Sequence, residues 1–377
     1  MKILIAIDSF KGSCSAINAA NSIEKGIKSV MQCATIVKMP VADGGEGTVS
    51  AMLMGRGGKA YQCEVTGPLG DRVMAEYAIL ENDTAIIEMA AASGLTLVPC
   101  EKRNPLFTTT FGTGELILEA AKKGCKRIIL GIGGSATNDG GIGAAMALGI
   151  AFKDADGNNV GFGGKELQNI AEIDVSGLNP LLKNIEISIA CDVTNPLYGE
   201  TGAAYVFAAQ KGADEQTIKL LDDGLRHYAE VIKRCTGFDC SQFTGGGAAG
   251  GLAIPLAAFC GAKIYSGIDF ILNTLDIDSQ LKDTDLVITG EGKLDFQTVY
   301  GKVPFGVAAH AKKFNVPVIA IVGAIGKDYS LVYNYGIDSV FNIQNAPMSL
   351  EDAMNNAEIL LEDCAVRVAR LIKIYKE

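Results

Sequence analysis

The sequence predicts an α/β protein of two domains, one a doubly wound parallel sheet assembled from both ends of the chain, the other an inserted mixed α/β domain. Three observations carry this. At 377 residues the chain is long enough for two cores of ordinary size. Short continuous apolar runs at both ends, each leading into a helical pattern, suit parallel strands buried on both faces. Between them lie turn-separated β-like runs that suit an antiparallel meander.

Taken in order, "KILIAID" opens as a strand. From about Ser15 to Met31, Ala19, Ala20, Ile23, Ile27 and Val30 recur on one helical face. "ATIVKMP" is a second strand, and the resulting βαβ unit cannot bury both faces of its sheet alone. "TDLVITG" (284–290), "VPVIAIVG" (316–323) and "DSVFNI" (338–343) supply three more strands. Five strands in the flavodoxin-like order 2-1-3-4-5 would put a switch point between strands 1 and 3. The expected division is 1–60 with 281–377 for this domain and 61–280 for the insert. The insert starts with "YQCEVTG", "VMAEYAIL" and "TAIIEMA" as the meander. A helix, the strand "KRIILGI", a glycine loop and the buried strand "IEISIACD" follow, a Rossmann-like mixture.

Composition excludes several functions. Apolar residues make up 48% and charged residues 20%, as in soluble globular proteins. No apolar run reaches the roughly 18 residues that span a bilayer. Asp8 interrupts "ILIAI", which reads as a strand rather than a signal peptide, so a cytoplasmic protein with no membrane partner is expected. Ten cysteines without a CxxC pair read as reduced thiols. His227 and His310 fall in helical stretches and read as structural, leaving proton transfer to a carboxylate or a lysine. A net charge of −10 argues against a nucleic-acid partner, though local lysines can still hold a small anion.

Parallel sheets bind ligands beyond the carboxyl ends of their strands. Strand 1 is followed there by "DSFKGS", strand 2 by "VADGGEGT" and strand 3 by "TGEGKLD". These loops would bring together Lys11 and Lys293 with Asp8, Asp43, Glu46, Glu291 and Asp295, a set suited to anionic substrate groups and magnesium. In the insert, "GIGGSATNDGGIG" lies between a strand and a helix, where backbone N–H groups favour phosphate oxygens. Its start also fits GxGxxA, with Asp154 about twenty positions on, a weak dinucleotide match. A structural turn accounts for the same loop. "ACDVTNP" places Asp192 just past a buried strand, either as an Asx turn or as a base or metal ligand. "TGGGAAGGL" reads as close backbone packing, and no Walker P-loop is present.

Together, "DSFKGS", "ADGGEGT", "GGSATNDGG", "ACDVTNP", "GAAGGL", "TGEGKLD" and "GKVPFGVA" resemble the type 1 glycerate kinase family, in the family's order from residue 8 to about 308. Cys14 departs from the leucine of many members. The resemblance implies ATP-dependent phosphorylation of D-glycerate by two α/β domains with the site in the cleft between them. On that basis Ser9 and Lys11 are expected to hold the carboxylate, with Asp43 and Glu46 in the substrate site. Gly133, Gly134, Ser135 and Asn138 are expected at the ATP phosphates, Asp192 as the base, Glu291 or Asp295 as Mg2+ ligands, and Lys293 against the transferring phosphoryl. The 2-hydroxyl is favoured over the 3-hydroxyl, and a homodimer is left open. The competing readings are a nicotinamide-dependent dehydrogenase using the GxGxxA stretch and a non-catalytic two-domain binder of small anions.

Overall fold

The computed structural model describes residues 1–299 and 301–374. The chain is a mixed α/β protein that divides into two units: Met1–Asp43, Ser50–Arg56 and Ser266–Glu377 form the first, Gly44–Val49 and Gly57–Tyr265 the second. The segment from Ser266 to residue 280, expected in the insert, falls with the first unit. Its helix Gly267–Leu275 packs on the helix Val303–Lys313, where Gly306 leaves room for Ile268.

In the first unit five parallel strands stand in the order Ser339–Asn342, Val318–Val322, Leu286–Thr289, Lys2–Ile5, Thr35–Lys38. This is the expected 2-1-3-4-5 order. Strand alternation explains why the runs are apolar throughout: Ile3, Ile5 and Ile288 enter a core with Ile23, Ile27, Leu361 and Val368 of two covering helices, Ala16–Val30 and Ala357–Ile374. Their neighbours Leu4, Val287 and Ala320 are equally buried. Ser15 starts the first helix by accepting the Asn18 N–H at 3.1 Å.

The second unit holds a six-stranded sheet in the order Lys263–Tyr265, Glu186–Ala190, Arg127–Gly131, Thr84–Glu88, Arg72–Ile79, Lys59–Thr66. The first four run parallel and the last three form the expected meander. A separate two-stranded pair, Ala151–Lys153 with Glu172–Asp174, shares a core with the 22-residue helix Glu215–Thr236. That pair contains the "AFK" of "GIAFKD", so the strand next after the GxGxxA loop lies outside the main sheet. Asp154 accepts the N–H groups of Asp156 and Asn158, forming a turn. The dinucleotide reading loses its structural context.

Candidate active site

The first unit contains a cavity of about 400 Å³ beyond the carboxyl ends of its central strands. One wall is charged, with Asp8, Ser9, Lys11, Asp43, Glu291, Lys293 and Lys302, and the other is largely apolar. The local folding follows from close packing. Asp8 N–H donates to the Gly290 carbonyl at 3.1 Å, tying the first loop to the third. A β-carbon on Gly290 would run into the Ile321 carbonyl, so only glycine lets the chain turn into "EGK" at that point.

Asp8 is 5% exposed and accepts the Ser9 N–H at 2.6 Å. Burial, and then the charge of Asp43, push its carboxyl up to about 7, against the opposing pull of Lys11 and the Ser9 N–H. Lys11 Nζ lies 3.6 Å from Asp43, whose charge is the main reason its ammonium is held above the ordinary lysine value. Glu291 is buried, which raises its carboxyl, while Thr298 Oγ donates to one oxygen at 2.6 Å and Lys302 Nζ lies 3.2 Å from the other. Lys293 lies 3.4 Å from Asp295.

Among the expected site residues the structure thus brings Ser9, Lys11, Asp43, Glu291 and Lys293 to one cavity, with Asp295 paired to its lysine. Glu46, Asp192, Gly133, Gly134, Ser135 and Asn138 belong to the second unit. Glu46 is exposed there, and Asp192 lies partly buried after the strand Glu186–Ala190. Glu291 and Asp295, expected as metal ligands, each lie against a lysine, Lys302 and Lys293 respectively. Among the described residues no group of three or more His, Cys, Asp or Glu is arranged for a metal ion.

The glycine loop of the second unit is filled by the protein itself. Asp139, fully buried, accepts from Thr110 N–H (2.8 Å), Thr110 Oγ (2.9 Å), Gly141 N–H (3.0 Å) and Gly143 N–H (3.4 Å). Thr110 Oγ in turn accepts the Ala144 N–H at 2.9 Å. The anion at this helix start is therefore an aspartate, which takes the donors of Thr110, Gly141 and Gly143. Asn138, expected at the ATP phosphates, is 0% exposed, and neither end of its amide has a partner. Gly133, Gly134 and Ser135 stay accessible. Beneath them Lys211, 2% exposed, donates to Ser135 Oγ at 2.8 Å and to the Thr137 carbonyl at 2.6 Å. Its burial lowers the ammonium to about 7.

The glycines of "VADGGEGT" have a packing reason as well. A β-carbon on Gly131 would strike the Gly44 carbonyl, and one on Gly133 would come within 2.9 Å of Gly45 Cα. Two bare loops lie back to back, and Glu88 accepts the Val49 N–H at 2.7 Å below them.

A profile of the glycerate kinase family matches residues 3–373. The chain belongs to that family. It is 51% identical over 358 residues to the glycerate 2-kinase of Escherichia coli (strain K12), covering 95% of this chain and 94% of that one. It is 49% identical over 377 residues to the glycerate kinase of Bacillus subtilis (strain 168), covering 100% and 99%. The crystal structure of a putative glycerate kinase 2 from Salmonella typhimurium LT2 superimposes with a TM-score of 0.89 at 48% identity, over 100% and 99% of the two chains.

Within this glycerate kinase family fold, sequence reasoning gave no role to Lys302, Asp139 or Lys211, and placed Asp8 only among the converging acids. Asp8 and Lys302 stood inside quoted motifs, so the signal was present. Lys211, in "AQKGAD", looks like an ordinary solvated turn residue. Both histidines make structural contacts: His227 Nε2 lies 2.8 Å from the Ile170 carbonyl and His310 Nδ1 lies 2.6 Å from Asp278. All ten cysteines are free thiols. Among the described residues no helix is long and apolar enough to cross a membrane.

Proposed function

We propose that the protein catalyses ATP-dependent phosphorylation of D-glycerate and forms 2-phosphoglycerate. The observation that carries the reading is the charged lining of the first unit's cavity, where Lys11, Lys293 and Lys302 meet the buried carboxyls of Asp8 and Glu291. The choice of the 2-hydroxyl is supported by the printed name of the Escherichia coli relative.

Glycerate offers a carboxylate and two hydroxyls. Lys11, half freed into the cavity, meets the carboxylate together with the Ser9 hydroxyl, and Asp43 accepts from a substrate hydroxyl. Lys293 and Lys302 face the phosphate oxygens. We give them this role because they line the same cavity as Asp8 and Lys11, whereas Gly133, Gly134, Ser135 and the buried Asn138 belong to the second unit. The proton-accepting role passes from Asp192 to Asp8, since a base is most effective with a pKa near the working pH. Asp8 takes the hydroxyl proton as the oxygen bonds to the γ-phosphorus and the bond to the ADP leaving oxygen breaks. Most of the rate enhancement is then positioning and charge neutralisation. Magnesium would accompany the nucleotide's phosphates with its own waters rather than sit in a protein cage. Glu46 has no part in this cavity.

The test is a coupled assay of ADP release, with the product identified by phosphorus NMR. ADP should appear only when D-glycerate, ATP and magnesium are all present, and the phosphorus should be on the 2-oxygen. ADP release without glycerate dependence would end the kinase reading, and phosphorus on the 3-oxygen would end the regiochemical one. Asp8→Asn should lower turnover roughly 10²- to 10⁴-fold. A loss of that size in Asp192→Asn with near-normal Asp8→Asn would return the base to Asp192.

A further inference from the structure

Half of the first unit's cavity has no counterpart in glycerate. That substrate has seven non-hydrogen atoms, and each of its three carbons carries oxygen, so it has no apolar face. Cavities near 400 Å³ fall in the range of roughly 300–1,000 Å³ that takes larger organic ligands. Ile343, Leu350, Ala353 and Met354 form an apolar wall in its lining. Leu350, 73% exposed, lines the cavity with an apolar side chain open to solvent.

One polar group interrupts this wall. Gln344 uses its backbone N–H on Asn342 Oδ1 at 2.9 Å, and its side-chain amide has no partner among the described residues. A free carboxamide presents one donor and one acceptor in a plane. That pattern matches the N6/N7 edge of adenine, the same pairing by which glutamine reads adenine in nucleic acids. The Met354 thioether is polarizable and suits the face of an aromatic ring.

We propose that the adenine base of ATP lies against the Ile343–Leu350–Met354 wall with its edge read by Gln344, and that its phosphates lead to Lys293 and Lys302. The lining selects this occupant: Ile343, Leu350 and Met354 suit the face of a flat base, Gln344 suits its edge, and Lys293 and Lys302, each beside a carboxylate, line the same cavity where the phosphates would follow. The proposal rests on the kinase reading for the identity of the nucleotide, but the base site is tested without it.

The experiment is calorimetry with adenosine, which has no phosphate, on the wild type, Leu350→Asp and Gln344→Leu, with D-glycerate titrated separately. Leu350 is at the surface, so its replacement leaves the core untouched. Leu350→Asp should weaken adenosine binding about tenfold or more. Gln344→Leu should weaken it by about 5- to 100-fold, the worth of one bidentate pair, and remove the preference over guanosine. Glycerate affinity should change less than twofold in both. Unchanged adenosine affinity in both variants overturns the base site. So does wild-type protein that phosphorylates glycerate but does not bind adenosine, and that result leaves the kinase reading standing. Adenosine binding lost in the variants of a protein that never turns over glycerate supports the base site and removes the kinase reading.

Discussion

Truncating Asp139 to alanine should destabilise the second unit more than any other single change in its glycine loop. Its carboxylate satisfies three backbone N–H groups and one hydroxyl in a site with no exposure. Each orphaned buried donor costs about 1–3 kcal/mol, so three backbone donors sum to roughly 3–9 kcal/mol. Relief of the carboxylate's own desolvation, which holds its pKa above the ordinary value, and entry of a water into the vacated space offset part of this. A net loss of about 3–6 kcal/mol remains, comparable with the whole stability of many domains, roughly 5–15 kcal/mol. Asp139→Asn keeps one acceptor oxygen but turns an NH₂ toward N–H donors, and about half the loss is expected. Amide hydrogen exchange followed by mass spectrometry reads the effect locally, which matters in a chain of two units where one global transition is not assured. Protection should fall in peptides covering 108–116 and 139–147 while the sheet of the first unit keeps its own. Unchanged protection in those peptides, with a urea midpoint moved by less than about 1 kcal/mol equivalent, would refute the capping argument.

Other substitutions separate function from structure. Lys11→Ala should raise the KM for glycerate more than that for ATP, and steady-state kinetics with each substrate varied would expose the opposite order. Turnover of the wild type should rise with pH through about 7 as Asp8 ionises among Asp43, Lys11 and Glu291, and a pH–rate profile that is flat from 6 to 8 would remove Asp8 as the base. The same raised pKa means that the folded protein binds a proton the unfolded chain gives up. Stability from this group is complete below the ordinary value of 3.8 and is lost as pH rises through about 7. Asp8→Asn should therefore be more stable than the wild type at pH 8 but not at pH 4, as measured by thermal unfolding. For Lys211 the sign is reversed. Its folded pKa is lowered to about 7, so the unfolded chain binds the extra proton between there and 10.5, and wild-type stability should rise with pH in that window. Lys211→Met should lack that rise in parallel melts.

The sheet of the first unit was legible because its evidence is local. A run such as "VIAIV" buried on both faces admits few other interpretations, and five such runs leave one familiar order. The cavity's charged wall was legible for the same reason: Asp8, Lys11, Glu291 and Lys293 each lie just beyond such a strand. What could not be read depends on partners far apart in the chain. "TNDGG" looks like an open cradle until Thr110 is brought from 29 residues away to show that Asp139 occupies it. The glycines at 44 and 131 look like ligand-binding flexibility until their backbones are seen to abut. Lys211 carries no local sign of burial, because the acceptors that hold it lie 76 and 74 residues earlier. Leu350 and Gln344 belong to a segment whose sequence shows only an ordinary helix start, and a cavity wall has no periodicity to announce it.

The first helix, Ala16–Val30, is clasped by Ala357–Ile374: Lys25 pairs with Glu362 at 2.7 Å, Asn18 Nδ2 donates to Glu358 at 2.8 Å, and Gly26 lies so close to the Glu362 carbonyl that no β-carbon would fit. The strand Lys2–Ile5 likewise waits for Leu286–Thr289 on its open side. On a ribosome Lys25 and Glu362 of these helices are made 337 residues apart. The opening βαβ segment must therefore emerge as an incomplete layer with a bare strand edge, and stay so while the second unit, whose partners are nearer in the chain, is translated and folds. Completion of the first unit waits for the helix Ala357–Ile374 to arrive. A chain stalled before residue 357 would hold a finished second unit and a first unit whose sheet lacks one covering helix.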